Sequence, residues 1–185
     1  MNADPNFLDY ETGSAINPSS LMRLFCMSDN EKAVKALHDV IATSNDAAEG
    51  FAKAAKGVHD PELSNWLAAA SNQRERFSAD LTKALKDMGE EPRLDLHVGG
   101  ILHKGWVDLE ARLRSTEPHL HSKDDKEIIR ECIAGESGSL KHFDHALAQK
   151  LNEDVRLLLV EQRTMVQDDL LFLENNVSRG HAHSA

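Results

Sequence analysis

The feature that most constrains this chain is a set of four runs in which apolar residues recur at alternating steps of three and four. A helix with one face on a core has that spacing, and strands, with a period of two, do not. The first run reads Val34, Leu37, Ile41, Ser44, Ala48, Phe51, Ala55 and Val58. The second reads Leu63, Trp66, Ala70, Gln73, Phe77, Leu81, Ala84 and Met88. Ile129, Ile133, Glu136, Leu140, Phe143 and Leu147 form the third. Val155, Leu159, Gln162, Val166, Asp169 or Leu170, and Leu173 form the fourth.

Local signals mark where these helices begin and end. Ser28 with Glu31 has the spacing of a capping box, and Asp60-Pro61 supplies an N-cap followed by a first-turn proline. Gly89 and Pro92 close the second helix, Ser122 caps the third, and Asn152 caps the fourth. The turn at Asp60 is short, so helices one and two form an antiparallel hairpin, and helices three and four form another. Residues 90 to about 122 join the hairpins and carry a short amphipathic helix with Leu102, Trp106, Leu109 and Leu113 on one side. Short hairpin, long crossover, short hairpin predicts an all-α, ferritin-like antiparallel four-helix bundle whose long crossover carries a short extra helix.

The domain is expected over 28–178, with a leader at 1–27 that is disordered or loosely docked and a frayed tail at 179–185. The leader holds Pro5, Gly13 and Pro18 without a helical or strand period, and Met27 is a candidate natural start. An internal echo fits two related hairpins. Gln73-Arg74-x-x-Phe77-x-x-Asp80-Leu81 in helix two matches Gln162-Arg163-x-x-Val166-x-x-Asp169-Leu170 in helix four.

Charge and cysteine content narrow the function classes. Lysine and arginine number 21 against 31 acidic residues, a net charge of −10 that repels phosphate backbones and anionic headgroups. Nucleic acid and membrane are therefore not expected as partners, whereas a homo-oligomer remains open and a protein partner is not identified by the residues. The two cysteines, Cys26 and Cys132, give no disulfide framework, and no apolar run approaches the roughly 18 residues of a membrane span. A cytoplasmic location is expected.

Three polar residues interrupt the apolar seams: Gln73, Glu136 and Gln162. A buried polar side chain costs a few kcal/mol unless it is hydrogen-bonded, so each needs partners. One explanation is a structural polar layer of Gln73, Arg76, Glu136 and Gln162 that fixes helix register. The other is a di-metal carboxylate centre built from Glu49, Glu75, Glu136 and Glu161 and holding iron or manganese. Such centres use a Glu-x-x-His pair on two of the helices, and none of the ten histidines has Asp or Glu three positions before it. The structural layer is preferred and no cofactor is expected, with iron or manganese as the alternative. Gly50, Gly135 and Gly138, unfavourable in helix interiors, predict close backbone approach or a bulge near Glu49 and Glu136. His142 and His145 share a helix face at a spacing that can grip a metal, but a solvated edge is the preferred place for them. No nucleophile triad, phosphate loop or nucleotide fingerprint is present.

The stretch Gly99-Gly100-Ile101-Leu102-His103-Lys104-Gly105-Trp106-Val107-Asp108-Leu109 stands apart, because no general helical rule demands it. Together with Glu49-Gly50-Phe51, Asp60-Pro61-Glu62-Leu63 and Gln73-Arg74, it resembles a bacterial family of ferritin-like four-helix bundles known as domain of unknown function 2383. The resemblance covers roughly residues 28 to 175. It implies the bundle fold and a bacterial, cytoplasmic setting, and it implies no reaction. The expected role is binding or protection, associated with stress and without catalytic chemistry; the alternative is a divergent di-metal protein with a redox or metal-storage role.

Overall fold

The computed structural model describes residues 28–92 and 125–179. Those residues form four α-helices: α1 (Asp29–Gly57), α2 (Pro61–Asp87), α3 (Asp125–Leu147) and α4 (Glu153–Arg179). No strand occurs among them.

The start signals act as their chemistry requires. Ser28 Oγ accepts from the Glu31 amide at 3.2 Å while Glu31 Oε2 accepts from the Ser28 amide at 2.6 Å, so the box is closed both ways. Asp60 Oδ1 accepts from the Glu62 amide at 2.8 Å with Pro61 behind it at the first helical position. Asn152 Oδ1 takes the Val155 amide at 2.8 Å. At the end of α2, Gly89 adopts φ 81°, a left-handed conformation that glycine adopts without strain, and its amide donates back to the Lys86 carbonyl.

Cross-helix bonds fix the directions. Thr43 and Ser139 pair their hydroxyls at 3.2 Å, and the His59 amide donates to Asp125 Oδ1 at 2.8 Å, so α1 and α3 run antiparallel. The Gln162 amide reaches the Phe77 carbonyl, and Arg74 reaches Asp169, so α2 and α4 are antiparallel as well. It follows that α2 and α3 are parallel, with α2 ending at one end of the bundle and α3 starting at the other. The result is the predicted four-helix bundle: two antiparallel hairpins joined across the length of the molecule. Helix α1 packs along both α2 and α3, and α3 along α4, while α2 touches α4 only briefly. An open groove of about 540 Å³ lies between α2 and α4, lined by Lys83, Asp87, Met88, Val155 and Leu158.

Helix α1 lies deepest and is buried on more than its seam: Ala33, Ala36, Ala42, Thr43, Ala47 and Gly50 are all enclosed. Gly50 and Gly135 are both buried. No bulge interrupts either helix there, since α1 and α3 remain continuous α-helix through both positions.

The core divides into two apolar clusters. Leu37, Ile41, Phe77, Leu81, Phe143 and Leu159 belong to one, and Phe51, Leu63, Leu67, Ile128, Cys132 and Leu173 to the other. In α1, α2 and α3 a short polar interval separates them, while in α4 the polar Gln162 and Asp169 lie among residues of the first cluster. The leader at 1–27, the crossover helix with Leu102 and Trp106, the Ser122 cap and residues 180–185 lie outside the described residues. Arg179 closes α4.

Candidate functional site

The polar interval is centred on Arg74. In α2 the buried positions include Leu63, Leu67, Ala70, Arg74, Phe77, Leu81 and Leu85, a series of threes and fours, with Ser71 and Ser78 buried beside it. Arg74 holds the central place and is only 1% exposed. Its Nη2 donates to Glu136 Oε2 of α3 at 2.7 Å and to Asp169 Oδ2 of α4 at 2.8 Å. Its Nη1 donates to Gln73 Oε1, and Gln73 Nε2 in turn faces Met165 Sδ at 3.7 Å. The guanidinium lies 5.0 Å from the Phe77 ring centroid and 5.6 Å from that of Phe51, within cation–π range of both.

This places one permanent cation between two carboxylates. Burial pushes the Glu136 carboxyl up, against the opposing pull of Arg74, and the Asp169 charge adds to the rise. Burial likewise raises Asp169, again opposed by Arg74, with Asp168 adding to the rise. Both carboxyl groups therefore bind a proton more tightly than free ones do, because burial outweighs what one guanidinium shared between them offsets. Arg74 Nε and Gln162 Oε1 have no hydrogen-bond partner among the described residues. Gln162 contributes through Nε2, which donates to the Phe77 carbonyl at 3.4 Å.

The expected polar layer needs one correction. Glu136 and Gln162 are buried and Gln73 is half-buried, but Arg76 is exposed. The arginine in the core is Arg74. One residue is a 100° rotation on a helix, and Arg76 lies two residues further round, on the solvent side. The signal was available: position 74 completes the α2 series between Ala70 and Phe77.

The four glutamates considered as metal ligands do not converge. Glu49, Glu75 and Glu161 are exposed, and Glu136 alone points into the core. Glu49 instead pairs with Lys53 at 2.7 Å on the surface of α1. Among the described residues no group of three or more His, Cys, Asp and Glu side chains is arranged to hold a metal ion. His142 is half-buried and His145 exposed, so the two do not share an enclosed site.

The sequence echo divides in role. Arg74 is the buried centre, whereas its counterpart Arg163 is partly exposed and donates through Nε to Asp144 at 2.6 Å. Asp169 faces Arg74, whereas its counterpart Asp80 lines the open groove. Trp66 packs at the other end of the α2–α4 seam, stacked on Phe172 at 4.3 Å and edge-on to Phe51 at 6.1 Å.

No curated protein and no solved structure matches the chain. A family model, described as Domain of unknown function (DUF2383), matches residues 32–149. Those residues hold Arg74 and Glu136 and end before α4, which brings Asp169 and Gln162. With well over half of its residues under that model, the chain belongs to the DUF2383 family.

Proposed function

We propose that this protein is a non-catalytic binding bundle of ferritin-like architecture, in which an internal arginine stands where di-metal bundles hold their cations. The observation that carries this is the Arg74 guanidinium, bonded to Glu136 and Asp169 at the centre of the four helices. Di-metal bundles use inward carboxylates from all four helices to balance two cations. Here the two carboxylates already face a fixed positive charge whose N–H groups donate but cannot ligate. A metal entering between them would have to displace Arg74 from a site walled by Phe51 and Phe77. The Arg74 contacts hold α2, α3 and α4 in one register, so the work assigned to this layer is to align the helices and the surfaces they present. A stress-associated, cytoplasmic role belongs to the same proposal.

The test is elemental analysis of the tag-free protein before and after anaerobic loading with ferrous iron or manganese and dialysis. No stoichiometric metal is expected in either sample. Stoichiometric metal that disappears in Glu136→Ala would replace this proposal with a divergent di-metal carboxylate protein of redox or storage type.

A further inference from the structure

Among the described residues the large apolar side chains left exposed are Leu157, Val160, Leu171 and Phe172, all on α4. Phe172 is already covered on one face by Trp66. The other three stand 57%, 46% and 48% exposed, on the side of α4 turned away from the core. Their spacing is that of a coiled-coil seam, with Leu157, Thr164 and Leu171 seven apart and Val160 at the intervening position. Isolated surface leucines need no explanation, but a stripe at heptad spacing on a single helix does.

The charges beside the stripe identify what fits it. Arg156 and Arg163 flank one side, and Glu161 and Asp168, both exposed, flank the other. In a parallel pair of such helices, each flanking residue on one side meets the residue five places further along on the opposite side of its neighbour. Arg163 then faces Asp168 of the second copy, and Arg156, whose Nη1 and Nη2 already donate to the Leu147 and Gln149 carbonyls, faces Glu161 of the second copy as a charge beside the seam. Both pairings are attractive, and a twofold axis repeats them. An antiparallel pair would set the acidic flanks against each other. Arg163 uses Nε for Asp144, leaving its two Nη groups to donate to a second carboxylate.

We infer that the outer face of α4 is a self-association surface, on which a second copy of this chain pairs in parallel about Leu157, Val160, Thr164 and Leu171. This stands apart from the proposal for the core and holds or fails without it. The stripe from Leu157 to Leu171 is roughly 20 Å long at 1.5 Å per residue. Its area falls below the ~800 Å² that each partner contributes to a standard interface, so the affinity expected is micromolar. Gln167 and Glu174, at the remaining seam positions, weaken it further.

Sedimentation velocity on the full chain, from about 1 μM to about 300 μM, reads the equilibrium directly. A monomer–dimer equilibrium is expected, with Leu157→Glu monomeric throughout. Asp168→Arg should weaken the dimer about tenfold or more by opposing Arg163, and adding Arg163→Asp should restore it. Circular dichroism on each variant checks that the helices persist. A wild-type chain that stays monomeric overturns the inference, including the case in which another segment of this chain covers the stripe. So does a dimer that survives Leu157→Glu, and failure of the double charge reversal to restore pairing overturns the parallel register.

Discussion

Arg74 and Glu136 belong to different hairpins, yet their side chains meet at 2.7 Å and each is 1% exposed. Asp169, from the same hairpin as Glu136, accepts from the same Nη2 nitrogen at 2.8 Å. A single guanidinium thus ties three of the four helices together at the level where the two apolar clusters part. Apolar contacts are tolerant of sliding by one turn. A buried guanidinium with two fixed acceptors is not, since a slip would leave all three charges unpaired in a low-dielectric interior.

Removing one partner of such a group costs more than the group contributes. Arg74→Met roughly keeps the side-chain volume and leaves the buried Glu136 and the half-buried Asp169 without a cation, so a loss of about 3–5 kcal/mol is expected. Arg74→Met combined with Glu136→Leu and Asp169→Leu replaces the layer with apolar contacts and should recover much of it. Urea unfolding of the two variants measures this. Recovery to wild-type stability with lost structural uniqueness, seen as broadened amide resonances, would identify the layer as a register device.

The raised carboxyl groups give stability a direction in pH. A carboxyl whose folded value lies above its unfolded value binds its proton more tightly in the native state, so its contribution is complete at low pH and lost as pH rises through the folded value. For Glu136 the window opens at the ordinary 4.5 and runs upward, and for Asp169 it opens at 3.8. Glutamine resembles the protonated form of Glu136. Glu136→Gln should therefore match the wild type most closely near the bottom of the window and gain on it as pH rises. Denaturant titrations at several pH values check the slope, and a Gln variant that falls behind at higher pH would contradict it.

Asp125 has the opposite sign. Burial would raise its carboxyl, but the amides of His59 and Asp60 and the His59 ring outweigh that, and the group lies below its ordinary value. It joins the α1–α2 turn to the first residue of α3, accepting at 2.8 Å from the His59 amide and at 3.0 Å from that of Asp60. Its stabilisation is present above the ordinary value of 3.8 and lost as pH falls through the lowered one. Asp125→Ala should cost about 1–2 kcal/mol at neutral pH by leaving two amides without their acceptor. Hydrogen exchange at His59 and Asp60 should rise in that variant, which separates a loosened turn from a general loss of stability.

What could be read from the sequence follows the range of the interactions. Ser28 with Glu31, Asp60-Pro61 and Asn152 act within one helical turn, and each forms the cap its residues predict. The number and direction of the helices follow from seams tens of residues long, which a shift of one position does not disturb. Side chains in the centre are less forgiving, because one position is 100° of rotation. Glu75 lies next to Arg74, and Glu161 next to Gln162, yet both glutamates are exposed. Arg74 is the least legible of these positions. Long cationic side chains usually reach solvent, so a helical register that places one in the core is read as an outward arginine. Its carboxylate partners are 62 and 95 residues away, beyond any local pattern.

The two arginines of the echo turn this difference into a measurement. Gln73-Arg74 and Gln162-Arg163 occupy matching places in their hairpins, but the Arg163 pair with Asp144 is 33% and 55% exposed, whereas the Arg74 pair with Glu136 is closed to solvent. Exposed ion pairs contribute about 0–1 kcal/mol because water solvates both charges when the pair opens. Arg163→Met should accordingly lower stability by less than about 1 kcal/mol, a small fraction of the loss expected for Arg74→Met. The salt response should differ too. Added salt screens the exposed Arg163 pair and leaves the buried one nearly unchanged, so the effect of Arg163→Met should shrink in about 1 M salt and that of Arg74→Met should persist. Equal losses in the two variants would mean that the hairpins share a symmetric polar layer and that Arg74 is not its single centre.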